Sequence, residues 1–198
     1  MPDKKILCVA CGVFKMEMEA LARQGKINLD TVMLESMLHI RPVTLEKKMG
    51  QVMSEGAPQN YLILYGDCHA HMHEIENQAN ASRVDGINCC QILLGRELYR
   101  QLQKDQAFIF LPEWTQRWRQ VFIHELGFAK PELARAFMKE TRKRLVYVDT
   151  GVMPLPEDKI REITEFFDMP VEVMPVSLDH LQQAINRALQ KFNKVDVL

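Results

Sequence analysis

Several features that would mark a specialised class of protein are missing from this 198-residue sequence. The net charge is only −1, so no excess of basic residues recommends nucleic acid or an anionic membrane as a partner. No segment approaches the roughly 20 apolar residues of a membrane span, and the apolar stretch at the start is too short for a signal peptide. We therefore expect a cytoplasmic protein with neither a nucleic-acid nor a membrane partner.

The familiar catalytic and nucleotide-binding motifs are absent as well. The sequence has no GxSxG, no P-loop and no GxGxxG after a predicted strand. It also lacks internal repeats and any Gly/Ser-rich linker that would mark a domain boundary. The expectation is one α/β domain over residues 1–198, with two similar lobes meeting near residue 85 as the alternative arrangement.

Short apolar runs with β-rich composition recur along the chain and predict strands. The predicted strands are Ile6–Ala10, Thr31–Leu34, Tyr61–Tyr65, Ala107–Phe110, Leu145–Val148 and Val171–Met174. Helical patterns fall between them. Strands that alternate with helices need crossover connections, which favour parallel pairing. The sequence therefore predicts a doubly wound α/β fold: a mostly parallel sheet with helices on both faces, in three layers.

Three segments carry apolar residues at helical spacing. Their apolar positions are Phe14, Met18, Leu21 and Ala22 in the first, Trp114, Trp118, Val121 and Phe122 in the second, and Leu178, Leu181, Ile185, Ala188 and Phe192 in the third. Ser177 is placed to cap the third helix. Pro131 and Pro156 mark the first turns of two further helices, since proline is favoured there.

Most of the reactive side chains follow the ends of predicted strands. Cys11 follows the first strand, His39 the second, Cys68 the third, Glu113 the fourth and Asp149 the fifth. Ligands of open parallel sheets bind beyond the carboxyl ends of the strands. This convergence predicts a functional site at that edge.

The five cysteines are expected to be reduced, because thiols stay reduced in the cytoplasm. Cys8 and Cys11 form a CxxC pair, which alone suits either redox chemistry or metal binding. Cys8 lies inside the first strand, so we expect a core thiol there. Cys11 lies at the end of that strand and is the better functional candidate.

The stretch "GINCCQILLG" predicts the start of a helix at Cys89. Asn88 is a good N-cap residue and Gln91 follows three residues later, as in a capping box. Cys89 and Cys90 would then both lie in the first turn. They point about 100° apart on a helix, so only one of them can face the strand edge while the other packs.

The run "CHAHMH" places His69, His71 and His73 directly after Cys68. An extended segment would point all three imidazoles the same way, whereas a helix would make His69 and His73 an i, i+4 pair able to share a metal. A solvated polar loop is the third interpretation. The sequence leaves these alternatives open.

Five blocks of the sequence, taken in order, resemble the family catalogued as domain of unknown function 1638. They are "ACGVFKMEMEAL", "LHIRPVTLEKKM", "LILYGDC", "NCCQILLGRELY" and "AFIFLPEWTQRW", and the resemblance runs from about Ile6 to Tyr147. It implies that Cys11, His39, Cys68 and Cys89 are the site residues. Asn88 stands where the family has an acid, and the "CHAHMH" histidines are not part of the family pattern.

The family's members are often associated with corrinoid methyl-transfer systems in anaerobes, so the resemblance implies a methyltransferase-system protein as a partner. Three thiolates with one imidazole suit Zn²⁺, and three thiolates alone suit an iron–sulfur cluster. We therefore expect a metal site of Cys11, Cys68 and Cys89 with His39. Asp149 and Glu113 are the candidate catalytic acids that would orient an incoming group.

The predicted function is a zinc–thiolate enzyme, or an accessory factor, in methyl-group or thiol chemistry. One alternative is a non-catalytic accessory protein that binds a small molecule or cofactor. The other is a metal-free thiol redox protein that uses Cys8 with Cys11, or Cys89 with Cys90.

Overall fold

The computed structural model describes residues 5–55 and 60–193. The two ends of the domain expected over residues 1–198, namely residues 1–4 and 194–198, lie outside the described residues. The chain forms two compact units. The first comprises residues 1–95 together with 178–198, and the second comprises residues 96–177.

The first unit is built on a four-stranded parallel sheet with the strand order β2-β1-β3-β4. Its strands are β1 (Ile6–Cys11), β2 (Asp30–Leu34), β3 (Asn60–Leu64) and β4 (Ala81–Arg83). The central strands β1 and β3 are almost entirely buried. Their continuous apolar sequences fit this position, because a parallel strand covered on both faces has no polar side.

Within the described residues, the α-helices of the first unit are α1 (Lys15–Arg23), α2 (Pro42–Ser54), α3 (Met72–Glu76), α4 (Cys89–Leu94) and, after the second unit, α9 (Asp179–Asn193). Two short 3₁₀ turns, Gly12–Phe14 and Ser36–Ile40, follow β1 and β2. Helix α9 packs on α4, β3 and β4. It is fixed to β4 by hydrogen bonds from the Ser82 hydroxyl to the Ala188 carbonyl (2.7 Å) and from the Lys191 ammonium to the Ala81 carbonyl (2.7 Å).

The second unit has a three-stranded parallel sheet with the order β5-β6-β7. Its elements are α5 (Arg96–Lys104), β5 (Ala107–Phe110), α6 (Pro112–Gln116), a π-helix (Gln120–Glu125), α7 (Pro131–Thr141), β6 (Arg144–Asp149), α8 (Glu157–Phe167) and β7 (Val171–Pro175). Phe110, Phe122 and Phe167 are fully buried at its centre. The Phe122 ring centroid lies 5.2 Å from that of Phe110 and 5.6 Å from that of Phe167.

The α/β class, the parallel pairing and the flanking helices are confirmed, and the predicted strands agree with the observed ones to within one residue at each end. These strands are divided between two sheets. The sequence did not predict β4, because it is only three residues long and two of those residues, Ser82 and Arg83, are polar.

The helix predicted from Trp114 to Phe122 is wrong as a continuous element. Helix α6 ends at Gln116, Arg117 leaves helical geometry, and a π-helix then begins at Gln120. In that π-helix the Leu126 amide donates to the Val121 carbonyl, five residues earlier. Apolar spacing reflects the 3.6-residue period and carries no signal for such a shift.

We expect Phe167→Ala to lower the free energy of unfolding of the second unit by about 3–5 kcal/mol, because the change leaves a cavity among packed rings. Both tryptophans, Trp114 and Trp118, belong to this unit, so urea unfolding followed by tryptophan fluorescence reports on it. Phe137→Ala is the matched control. Its side chain is 47% exposed, so the same substitution there should cost much less, and equal losses would contradict the proposed core.

Candidate functional site

The carboxyl ends of β1, β2 and β3 lie at one edge of the first sheet. In the register of the sheet, Cys11 is paired with Leu34 of β2, and Ala10 is paired with Leu64 of β3. Cys11 and Tyr65 are each one residue further along their parallel strands. The backbone therefore brings the Cys11 thiol and the Tyr65 phenol to the same place.

Two glycines allow other backbone segments to approach this edge closely. A Cβ atom on Gly12 would lie 2.8 Å from the carbonyl oxygen of Leu34, and one on Gly66 would lie 2.5 Å from the Asn88 Cα atom. The Asp67 amide also donates to the Ile87 carbonyl at 2.9 Å. The turn that follows β3 is thereby held against the residues that precede α4.

The predicted N-cap of α4 at Asn88 is confirmed, and Gln91 bonds back to the amide one residue before the one that a capping box uses. The Asn88 side chain accepts a hydrogen bond from the Gln91 amide (2.9 Å), and the Gln91 side chain accepts one from the Ile87 amide (2.8 Å). Helix α4 consequently begins at Cys89, beside the turn that carries Cys68.

The side chains of Cys11, Cys68 and Cys89 come together at this edge and are called the thiol cluster below. A hydrogen bond to Cys11, together with burial, raises the pKa of Cys89 well above its ordinary value. Burial, with negative charge at Cys11 adding to it, raises the pKa of Cys68 to about 11. The Cys11 thiol in turn donates to the Ser36 carbonyl oxygen, 3.7 Å away. All three sulfurs therefore influence one another across three separate elements of the fold.

Tyr65 is the functional candidate that sequence reasoning missed. Its side chain is 1% exposed, and its hydroxyl forms no hydrogen bond of good geometry within residues 5–55 and 60–193. Burial raises its pKa far above the ordinary value, and negative charge at Cys11, Cys89 and Cys68 raises it further. The phenol therefore lies among the three thiols, with Cys11 its strongest neighbour. Because Tyr65 ends the apolar run "YLILY", the sequence pattern around it is that of a buried strand and gives no signal of a functional residue.

A family model described as a protein of unknown function (DUF1638) matches residues 33–185, which is more than half of the chain. The chain belongs to the DUF1638 family. The resemblance inferred from the sequence blocks is therefore confirmed. No curated protein and no solved structure matches the chain.

The stretch of this DUF1638 chain that matches the family model contains His39, Cys68 and Cys89, and it begins after Cys11. His39 lies in the 3₁₀ turn after β2, and its side chain is exposed. Its Nδ1 atom is 3.1 Å from the Ser36 carbonyl oxygen, which also accepts the Cys11 thiol. When Nδ1 donates to a carbonyl, the lone pair of the neutral ring lies on Nε2. One carbonyl group thus links the imidazole to the thiol cluster.

Cys8 and Cys90 are not among the three thiols of the cluster, although charge at Cys90 also raises the pKa of its neighbour Cys89. Cys8 is fully buried in β1, and burial raises its pKa to about 12. It is three residues from Cys11 on the same strand, so the two side chains point to opposite faces. Burial also raises the pKa of Cys90 to about 12. Of the two neighbouring cysteines in α4, it is Cys89 that faces the strand edge.

An arginine fixes the turn that carries Cys68. Arg83, at the end of β4, forms ion pairs with Asp67 (2.9 Å) and Glu76 (2.8 Å). Its side chain is largely buried, whereas the two carboxylates are open to solvent. The residue before Cys68 is thereby held in place from the neighbouring strand.

The "CHAHMH" histidines have three different environments. Helix α3 begins at Met72, so His69 and His73 do not form the helical i, i+4 pair. The His71 Nδ1 atom donates a 2.8 Å hydrogen bond to the Glu46 carboxylate, which raises the pKa of His71. The His73 Nδ1 atom lies 3.8 Å from the Glu76 carboxylate. His69 is buried, and neither of its ring nitrogens has a hydrogen-bond partner in the part of the chain that the structure describes.

Glu113 and Asp149 belong to the second unit. The Glu113 carboxylate accepts a 2.5 Å hydrogen bond from Arg117, which also bonds to Glu125 at 3.1 Å. Asp149 ends β6, and its carboxylate accepts from the Gly151 amide at 3.0 Å. Both carboxylates therefore have local structural roles, and their catalytic role stays a prediction.

Over the described residues, no three His, Cys, Asp or Glu side chains are arranged so that they could hold a metal ion as they stand. The metal site of Cys11, Cys68, Cys89 and His39 therefore stays a prediction. Over the same residues, no helix is long and apolar enough to cross a membrane.

We expect Gly66→Ala to destabilise the first unit, because the new methyl group would overlap the Asn88 and Ile87 backbone, which cannot move as a flexible side chain can. Gly50→Ala, in the interior of α2 with nothing within 4 Å of the new methyl group, is the matched control. It should stabilise by roughly 0.5–1 kcal/mol. Thermal unfolding followed by circular dichroism measures both, and a neutral Gly66→Ala would contradict the close approach.

In protein prepared without metal, alkylation of Cys68 by iodoacetamide should still become about tenfold faster per pH unit between pH 8 and 10. The thiolate is the reacting species, and the pKa of Cys68 is raised to about 11. Peptide mass spectrometry at each pH gives the rate, with glutathione as the reference thiol. A rate that levels off near pH 8.5, as for an ordinary cysteine, would show that neither burial nor charge at Cys11 raises the pKa of Cys68.

Proposed function

We propose that the thiol cluster binds one thiophilic metal ion, with zinc the first candidate, and that the protein is a zinc–thiolate enzyme acting on a small thiol. One observation carries the proposal. Three thiols from the ends of β1 and β3 and from the start of α4 meet at the ligand-binding edge of a parallel sheet, around a buried phenol.

The donor set supports a soft metal ion. Thiolates select zinc, copper(I) and iron–sulfur clusters, whereas calcium and magnesium prefer oxygen ligands. The raised pKa values of Cys68 and Cys89 mean that, without a cation, these thiols are neutral near pH 7. A bound dication reverses this balance, because it favours the deprotonated form of each ligand and releases the protons to water.

The backbone fixes the positions of the three cysteines, and rotation of their side chains can adjust the positions of the sulfur atoms. The sheet register fixes Cys11, and the contact between Gly66 and Asn88 fixes Cys68 beside Cys89. A cysteine sulfur moves by rotation about a single χ1 bond between staggered wells. We therefore expect binding to draw the three sulfurs together by side-chain rotation, without rearrangement of the sheet.

The fourth ligand decides whether the site is structural or catalytic. His39 is the protein group best placed for it, since it shares the Ser36 carbonyl with Cys11. A closed site with His39 bound would be structural, whereas a position left to solvent would admit a substrate. We favour the open site, because His39 is exposed and already hydrogen-bonded within its own turn.

A zinc ion in such a site lowers the pKa of an external thiol and keeps it nucleophilic. The reaction we propose is alkyl transfer to that sulfur, in which the thiol loses its proton, an S–C bond forms and the bond between the donor and its alkyl group breaks. The family's association with methyl-transfer systems makes a methyl group the first candidate. The residues of the first unit would bind and orient the thiol and exclude water from it.

A metal-free thiol redox protein is the second candidate. The observation in its favour is the hydrogen bond between Cys11 and Cys89, a different pair from either of those predicted. The raised pKa of Cys89 counts against it, because disulfide exchange needs a thiolate and reactive cysteines have a lowered pKa. Mild oxidation followed by mass spectrometry would show a two-proton loss confined to these two residues if this candidate is correct.

We expect protein purified without oxygen to contain about one zinc ion per chain by elemental analysis. Cys11→Ser, Cys68→Ser and Cys89→Ser should each lose it, because a neutral hydroxyl is a poor zinc ligand. Cys8→Ala and Cys90→Ala are the controls and should retain it. Iron with acid-labile sulfide and a visible absorption band would identify a cluster instead. Wild-type protein that contains no metal and takes up neither zinc nor cobalt would overturn the proposal.

A further inference from the structure

We propose that Tyr65 recognises the external ligand of the thiol cluster by donating a hydrogen bond from its hydroxyl to the sulfur of a bound substrate thiolate. The inference rests on the proposed function and adds to it a positioning residue and a class of substrate. Tyr65 is neither a metal ligand nor a proton carrier in this scheme.

The starting observation is a buried hydroxyl whose one hydrogen-bonding neighbour is the Cys11 thiol, a weak partner that does not meet the geometry of a well-formed hydrogen bond. Tyr65 is 1% exposed, and its hydroxyl has no well-formed partner within residues 5–55 and 60–193. A hydroxyl removed from water loses hydrogen bonds, and without a replacement its burial costs free energy. Phenylalanine would fill nearly the same volume without that cost. A phenol at this position is therefore best explained by a partner that arrives with a ligand.

Tyr61 shows what a satisfied phenol looks like on the same strand. It is also buried, and its hydroxyl donates to the Met53 carbonyl at 2.8 Å. Tyr65 is four residues further along, where the strand reaches the thiol cluster. Only at the ligand-binding end of the strand is the hydroxyl left without such a partner.

The surroundings of the hydroxyl identify what it would bind. The sheet register sets Tyr65 beside Cys11, and the contact of Gly66 with Asn88 brings Cys68 and Cys89 to the same edge, so a fourth ligand of an ion held by these sulfurs would come close to the hydroxyl. A phenol near neutral pH keeps its proton and can donate it. The preferred partner is thus an atom that is bound to the ion and still carries lone pairs, as a thiolate sulfur does.

Imidazole is an informative contrast to a thiol. It binds a metal ion through the only lone pair of its pyridine-type nitrogen, so the bound atom has nothing left to accept from Tyr65. A hydrogen bond from Tyr65 would therefore strengthen the binding of a thiol and leave that of imidazole unchanged. This difference separates recognition of the ligand from a general effect on the site.

The test uses the full chain loaded with cobalt(II) in place of zinc, titrated with 2-mercaptoethanol or with imidazole, and followed by visible absorption. In Tyr65→Phe we expect one cobalt ion per chain, thiol binding about tenfold weaker, and imidazole binding unchanged, as for the loss of one hydrogen bond to a charged acceptor. Tyr61→Phe is the matched control, because it removes a phenol hydroxyl from the same strand away from the thiols. It should leave both affinities unchanged.

Three results in Tyr65→Phe would overturn the inference while leaving the proposed metal site intact. They are an unchanged affinity for the thiol, an equal loss of affinity for thiol and imidazole, and a loss of cobalt, which would assign the hydroxyl to the cluster itself. Failure of the proposed function would be detected separately, in the cobalt and thiol titrations of the wild-type protein. Wild-type protein would then bind no cobalt, or would bind it without taking up any thiol, and the role of Tyr65 would fall with it.

Discussion

The close approach of Gly66 to the backbone of Ile87 and Asn88 is the contact on which the candidate site depends. The two segments are separated by more than twenty residues and by two elements, and no side chain fits between them. Because of this contact, the turn after β3 and the start of α4 share one surface, and the Arg83 ion pairs hold the same turn from β4. The sheet register then adds Cys11 and Tyr65. The site is therefore defined by backbone packing before any side chain is considered.

Three thiols and a phenol are gathered at this edge, within a buried part of the first unit. Thiols are only weak donors, and a phenol among them has no strong acceptor to bond with. Buried polar groups in proteins generally have hydrogen-bond partners, as Ser82 does on α9 and Tyr61 does on α2. The thiol cluster and Tyr65 depart from this rule, and we infer that these residues serve ligand binding and not packing.

The sequence predicted what depends on local pattern. Strand ends located Cys11 and Cys68, and the predicted N-cap at Asn88 located Cys89. It could not predict that the strands divide into two sheets, since an apolar run specifies a strand but not its neighbours. Glu113 and Asp149 were grouped with the cysteines on the assumption of one sheet. In the structure Asp149 ends β6 and Glu113 follows β5, and both strands belong to the second sheet. Tyr65 was missed because a phenol at the end of an apolar strand reads as core.

The position of α9 in the chain affects the order in which the two units can fold during synthesis. The first unit is discontinuous in the chain: its fourth strand, β4, ends at Arg83, but the helix that covers β3 and β4 follows the whole second unit. During synthesis the whole second unit, residues 96–177, emerges before that helix is available. Until α9 is available, the surface of β3 and β4 that it covers is exposed, whereas the second unit is contiguous in the chain and can fold before the first is complete.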